Sequence, residues 1–176
     1  KIDERQFRVL ADEAYTGGAN FSKYWKDKSF FVTARAFYSH SGGSAEAIAR
    51  LQQSSARYYQ RPDANHVELD TTRTSLDGYG ASVNGGKVSG HFNFMYFSSL
   101  SSPGLELNDV GFKPTSDFVM NGFWMAYRDW RPKGIMNEYQ INGDIFAIHN
   151  FSGERLGTGI EQNGYIIFKN YYELSE

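Results

Sequence analysis

Apolar and polar residues alternate along most of this chain with a period of two, the pattern of strands that present one greasy and one wet face. Over residues 30–39 the even positions carry Phe30, Val32, Ala34, Ala36 and Tyr38, with Thr33, Arg35 and Ser39 among the odd ones. Over 87–98, Val88, Phe92, Phe94 and Tyr96 alternate with Ser89, His91 and Asn93. Over 135–149, Ile135, Tyr139, Ile141, Ile145 and Ala147 stand between Glu138, Gln140, Asn142 and Asp144. Over 155–174, Leu156, Ile160, Ile166, Phe168, Tyr172 and Leu174 oppose Arg155, Glu161, Asn163, Lys169 and Glu173. Residues 117–130 are bulky on both faces, with Phe118, Met120 and Trp124 on one and Phe123, Met125 and Tyr127 on the other.

Asn-Gly pairs mark two-residue hairpins when the apolar phase switches between odd and even across them. Across Asn84-Gly85 it switches, from Tyr79, Ala81 and Val83 to Val88, Phe92 and Phe94, which predicts a hairpin there. Across Asn142-Gly143 and Asn163-Gly164 the phase is kept, which puts both pairs inside continuous strands. The predicted strands, about eight in all, are residues 5–16, 19–26, 29–39, 65–83, 87–98, 117–130, 135–149 and 155–174. Several exceed the roughly five or six residues usual in a soluble sheet. The connections 40–64 and 99–116 are long, and those at 84–85 and 131–134 are short. Long and short connections at opposite ends are the arrangement of an outer-membrane barrel. Within the first long connection, Ser44 is a fit N-cap for a short helix over 45–51.

Composition narrows the picture. Of 176 residues, 16% are aromatic, beside 18 glycines, which favours extended structure over helices. Charge is −2 overall, against a basic nucleic-acid module and against a polybasic membrane-surface segment. There is no cysteine, so disulfides, thiolate zinc sites and cysteine nucleophiles are excluded. No run approaches the roughly 18 apolar residues of a spanning helix, and a spanning strand needs only alternate ones. The chain opens at Lys1, as expected of a mature or excised piece, and no domain boundary is visible.

Four segments carry a resemblance: 58–63 (YYQRPD), 72–76 (TRTSL), 102–112 (SPGLELNDVGF) and 168–171 (FKNY). With them the chain resembles, from about residue 15 onward, the C-terminal domain of unknown function of a family of large Bacteroidota outer-membrane proteins. Members of that family typically begin with a domain similar to a family-9 carbohydrate-binding module. On that module rest the carbohydrate-binding or hydrolase labels they often bear. The resemblance implies an outer-membrane β-barrel and supplies no catalytic residue. The module is not part of this chain, and the family domain is longer than the chain, which implies a partial or larger barrel.

The four histidines, His40, His66, His91 and His149, lack metal-ligand spacing. Glu138 and Asp144 lie on one strand, about 20 Å apart by the strand rise, too far for a glycosidase pair, which spans about 5–9.5 Å. A cross-strand partner such as Glu161 is left open. No nucleophile elbow, P-loop or dinucleotide fingerprint occurs. Catalytic, metal and cofactor residues are therefore not expected.

The expected architecture is all-β, an antiparallel up-and-down transmembrane β-barrel of the outer-membrane type. Its polar face, lining the lumen, carries Arg35, His91, Asn93, Glu138, Gln140, Asp144, Arg155, Glu161 and Lys169. Tyr58, Tyr59, Arg61 and Asp63 are candidate glycan contacts, by ring stacking and bidentate hydrogen bonding. Ser102, Pro103, Asn108, Asp109 and Phe112 belong to a segment expected to fold back over the barrel or to pack on a neighbouring loop. The expected setting is the outer membrane of a Gram-negative bacterium. The expected partners are its lipid, other envelope proteins and glycan, without nucleic acid. The expected role is envelope transport, assembly or surface-glycan handling. The alternatives are a soluble all-β carbohydrate-binding sandwich and a membrane-associated glycoside hydrolase whose activity lies outside this segment.

Overall fold

A computed structural model describes residues 9–62, 64–107 and 114–176. Eight strands form one antiparallel sheet in which each strand pairs with its neighbours in the chain. They are β1 (Ala11–Trp25), β2 (Phe30–Gly43), β3 (Ser75–Lys87), β4 (Phe92–Ser101), β5 (Phe118–Asp129), β6 (Met136–His149), β7 (Arg155–Phe168) and β8 (Glu173–Ser175). One helix, α1 (Ala45–Gln53), follows β2. The architecture is thus all-β and up-and-down, and the sheet is open: β1 pairs with β2 and β8 with β7.

Four boundaries differ from those read in the sequence. Residues 11–25 form one strand through Gly17-Gly18, where two strands were expected; Tyr15 and Phe21 keep the same phase across the glycines. The Asn84-Gly85 pair lies inside β3, with Asn84 facing Thr33 and Phe97. The hairpin turn falls at residues 88–91, with Gly90 at a φ of 74°. A four-residue connection also switches odd to even, so the parity change was real but its position was not fixed by it. Residues 65–74 precede β3 as an irregular segment, because Asp70 accepts from the Thr72 backbone N–H and hydroxyl in a local turn. The last predicted strand breaks after Phe168, where Tyr171 adopts a φ of 65°, and β8 follows. The merging at the start and the break at the end leave the strand number unchanged. Asn142-Gly143 and Asn163-Gly164 do lie within β6 and β7.

Helix α1 forms where its cap predicts. The Ser44 side chain accepts from Ala47 N at 3.1 Å, and Glu46 and Arg50 complement the helix dipole at its two ends. Ile48, Tyr59 and Leu76 form the buried hydrophobic cluster, flanked by Leu51, Val67 and Leu69. The core therefore sits at one end of the sheet, beneath the long connections, and not along the strands.

Candidate functional site: a two-faced sheet capped at one end

Register assigns each strand residue to a face. Phe21, Ala34 and Val83 are successive partners on β1–β3; Tyr96, Phe123, Ile145 and Ile160 are successive partners on β4–β7. Carried through all the pairings, one face is predominantly apolar from β1 to β8, with Lys23, Asn121 and Gln162 within it and Glu13, His40 and Asp77 towards the long-connection end. It holds Tyr15, Trp25, Tyr38, Tyr79, Phe92, Met125, Tyr127, Ile141 and Leu174, all exposed. Among the exposed large strand hydrophobics of the described residues only Tyr24 points the other way, leaving aside Leu156 at the bulge that begins β7. Ile160 is 79% exposed in the middle of its strand, a position that a soluble sheet would cover.

The opposite face carries most of the polar side chains, together with Phe31, Met95, Trp124 and Ile148, and is levelled by aromatics laid over glycines. Phe37 covers Gly80, Phe97 covers Gly122 and Phe146 covers Gly159, each pair in direct register. Arg35, Asn93, Glu138, Gln140, Asp144 and Glu161 lie on this face. Arg155 sits at the β7 bulge, and His91 and Lys169 lie in turns. Asp144 and Glu161 are direct cross-strand partners, with Trp124 opposite Asp144 on the other side. Asn142 donates to the Asn163 side chain at 2.6 Å and accepts from the Trp124 indole at 3.3 Å. No cluster of three or more metal-ligating side chains occurs among the described residues.

The long connections meet over this polar face. Residues 102–107 cross β3 so closely that a Cβ on Gly78 would lie 2.1 Å from the Leu105 nitrogen. Ser102 stays in register through Tyr79, with N–H to carbonyl at 2.9 Å and Tyr79 N to Ser102 Oγ at 2.8 Å. Glu106 N donates to Ser39 Oγ at 2.9 Å, and the Glu106 carboxylate pairs with Arg57. Both side chains of that pair are buried, at 1% and 8% exposure, and Arg57 also donates to the carbonyls of Leu105 and Leu51. A second buried cluster centres on Asp117, which accepts from Arg61, from His66 Nε2 at 2.9 Å and from Phe151 N at 3.1 Å. These bonds join residues 54–67 to the starts of β5 and of the β6–β7 turn.

The candidate glycan contacts are thereby separated. Tyr58 is 51% exposed; Tyr59 is buried in the hydrophobic cluster, where desolvation raises its phenol pKa above the ordinary value; Arg61 is held by Asp117. Asp63 lies outside the described residues, as do Asn108, Asp109 and Phe112. Ser102 is buried, and the Pro103 carbonyl accepts from Ser116 Oγ at 3.2 Å. Sequence reasoning missed the role of Arg57, Glu106 and Asp117, because ion pairs between connections leave no periodic trace.

Fold and faces define the class: an all-β, antiparallel, up-and-down sheet with one apolar and one polar surface. Residues 33–175 match the family described as Domain of unknown function (DUF5916), and the chain belongs to that family. No curated protein and no solved structure matches it.

Proposed function

We propose that the chain is a section of the wall of an outer-membrane β-barrel, with lipid hydrocarbon against its apolar face and the lumen on its polar face. The observation that carries this reading is the exposed apolar surface that runs through all the strands. Left in water, a contiguous patch of this size favours aggregation; against hydrocarbon it has no such cost. A strand needs roughly 9–11 residues to span when tilted, and β1 to β7 each have between 10 and 15. Both ends of the sheet also step in the same sense from β2 to β7. The last residues paired at the short-turn end pass from Phe30–Lys87 to Phe92–Tyr127 and then Asp129–Tyr139. A constant sense of stagger is what barrel closure requires.

In this reading the barrel is completed by strands beyond the open edges of β1 and β8. The resemblance supports a Bacteroidota envelope and a companion module resembling a family-9 carbohydrate-binding domain. The role is transport, assembly or surface-glycan handling, with sugar chemistry left to the companion module. The test is extraction of the intact protein from native membranes. It is expected to stay in the pellet through alkaline carbonate and to leave with detergent. Release by carbonate, or recovery in the soluble fraction, would favour a water-soluble sandwich in which a second layer covers the apolar face.

A further inference from the structure

The overall charge of −2 conceals a polarity between the two ends of the sheet. The connections at the short-turn end carry Lys26, Lys28, Arg131, Lys133 and Lys169, with Lys87 closing β3 beside them. The acids among them are Asp27 and Asp129, and Asp129 is already held by Arg131 at 3.0 Å. Glu173, which begins β8, pairs with Ile167 on the polar face. Lys26, Lys28, Lys133 and Lys169 are exposed, and the backbone bond from Lys169 N to Ile135 O at 2.9 Å joins the last two turns. The long-connection end instead gathers Glu13, Glu68, Asp70, Asp77 and Glu154 with its paired arginines.

The same rim is aromatic on its apolar side. Trp25 stacks on Phe30 at 5.8 Å, with Lys26 Nζ 5.4 Å from the Phe30 ring. Tyr127 stacks on Tyr139 on the same side, while on the polar side the Arg128 guanidinium lies 4.5 Å from Trp130, just past the end of β5. Trp25 and Trp130 are 40% and 47% exposed. Amphipathic rings with cations just beyond them suit the depth at which hydrocarbon gives way to phosphate.

We propose that this basic, aromatic rim binds the headgroups of anionic phospholipids in the leaflet on the short-turn side. The inference rests on the lipid-facing reading above, in which short turns lie on the periplasmic side. The lysines supply charge complementary to the phosphates, each contributing on the order of 1 kcal/mol near an anionic surface, while the rings fix the depth of the collar.

The test uses tryptophan quenching in the intact protein, inserted in bilayers containing brominated phosphatidylcholine or brominated phosphatidylglycerol. Trp25, on the apolar face, reports lipid at the rim, read with Trp124→Phe and Trp130→Phe in place. An apparent preference for the anionic lipid of about fivefold or more is expected, the effect of a single lysine's attraction or greater. The combined variant K26Q/K28Q/K133Q/K169Q should bring the preference close to one, as should 1 M salt at roughly a 3 Å screening length. R50Q, on the exposed side of α1 at the other end, should leave it unchanged. Equal quenching by the two lipids with the four lysines intact, or a preference that survives the lysine changes, overturns the rim alone. Absence of quenching by either lipid overturns the lipid-facing reading as well.

Discussion

Arg57 and Glu106 show how much single side chains hold in a molecule whose core is small. Their ion pair is almost fully buried and ties the segment after α1 to the segment after β4. Removing one partner from such a pair costs about 3–5 kcal/mol, because a charge is left buried without compensation. Glu106→Ala should therefore expose α1 to amide hydrogen exchange while β6 and β7 keep their protection. Wild-type protection at α1 in the variant would show that the pair does not hold the cap. Asp70 acts more locally. Hydrogen bonds from the Thr72 hydroxyl and backbone, more than the nearby arginine, lower its carboxyl pKa below the ordinary value. A depressed carboxylate contributes stability above its unfolded pKa and loses it as pH falls through its folded value. The turn that bonds Gln52 should consequently loosen in acid, by exchange at Asp70 N and Thr72 N, and Asp70→Asn should remove that part of the pH dependence.

The elements differ in how far the sequence revealed them. Strands β6 and most of β7 were legible because alternation there is clear, β5 as a run of bulky residues whose two faces the sequence does not separate, and α1 because Ser44 is a strong local signal. The Asn84-Gly85 hairpin was misread, since a parity switch is compatible with any even-numbered connection between Val83 and Phe92. The strap at 102–107 and the ion pairs under it were not legible, since contacts between distant connections have no period. Glycine spacing at the strap can be tested. A methyl on Gly78 would meet the backbone of Leu105 at 2.1 Å, whereas one on Gly122 would meet the end of the Phe97 ring. A ring can turn aside and a strap must lift. Gly78→Ala should cost about 1–3 kcal/mol, the usual range for overpacking, and open 102–107 to proteolysis, with Gly122→Ala clearly milder. Equal tolerance of both changes would contradict the close crossing.

At the scale of the whole molecule, the buried hydrophobic residues gather at the capped end and on the polar face, and the apolar face stays uncovered over its full width. The candidate faces were largely legible, because a period of two assigns each residue to a side once register is known. The cap that closes over one of them was not. An uncovered sheet face is a statement about the surroundings of the protein: it requires hydrocarbon, a second sheet or another chain. The polar face, with Asn142, Asp144, Glu161 and Asn163 in facing positions, needs only water. Assignment of these two surfaces is the claim on which the barrel, the lumen and the lipid-binding rim all depend.

The absence of cysteine from the chain makes that assignment directly measurable. Single cysteines at Ile145 and Ile160 report the apolar face, and at Asn142 and Asn163 the polar one. In native membranes a water-soluble maleimide is expected to label the polar-face cysteines and to leave the apolar-face cysteines unreacted until the protein is unfolded in denaturant. A lipid-soluble maleimide should reach Ile145→Cys and Ile160→Cys in the folded protein. Labelling of those two positions by the water-soluble reagent in the folded protein, as readily as the asparagine positions, would contradict the account.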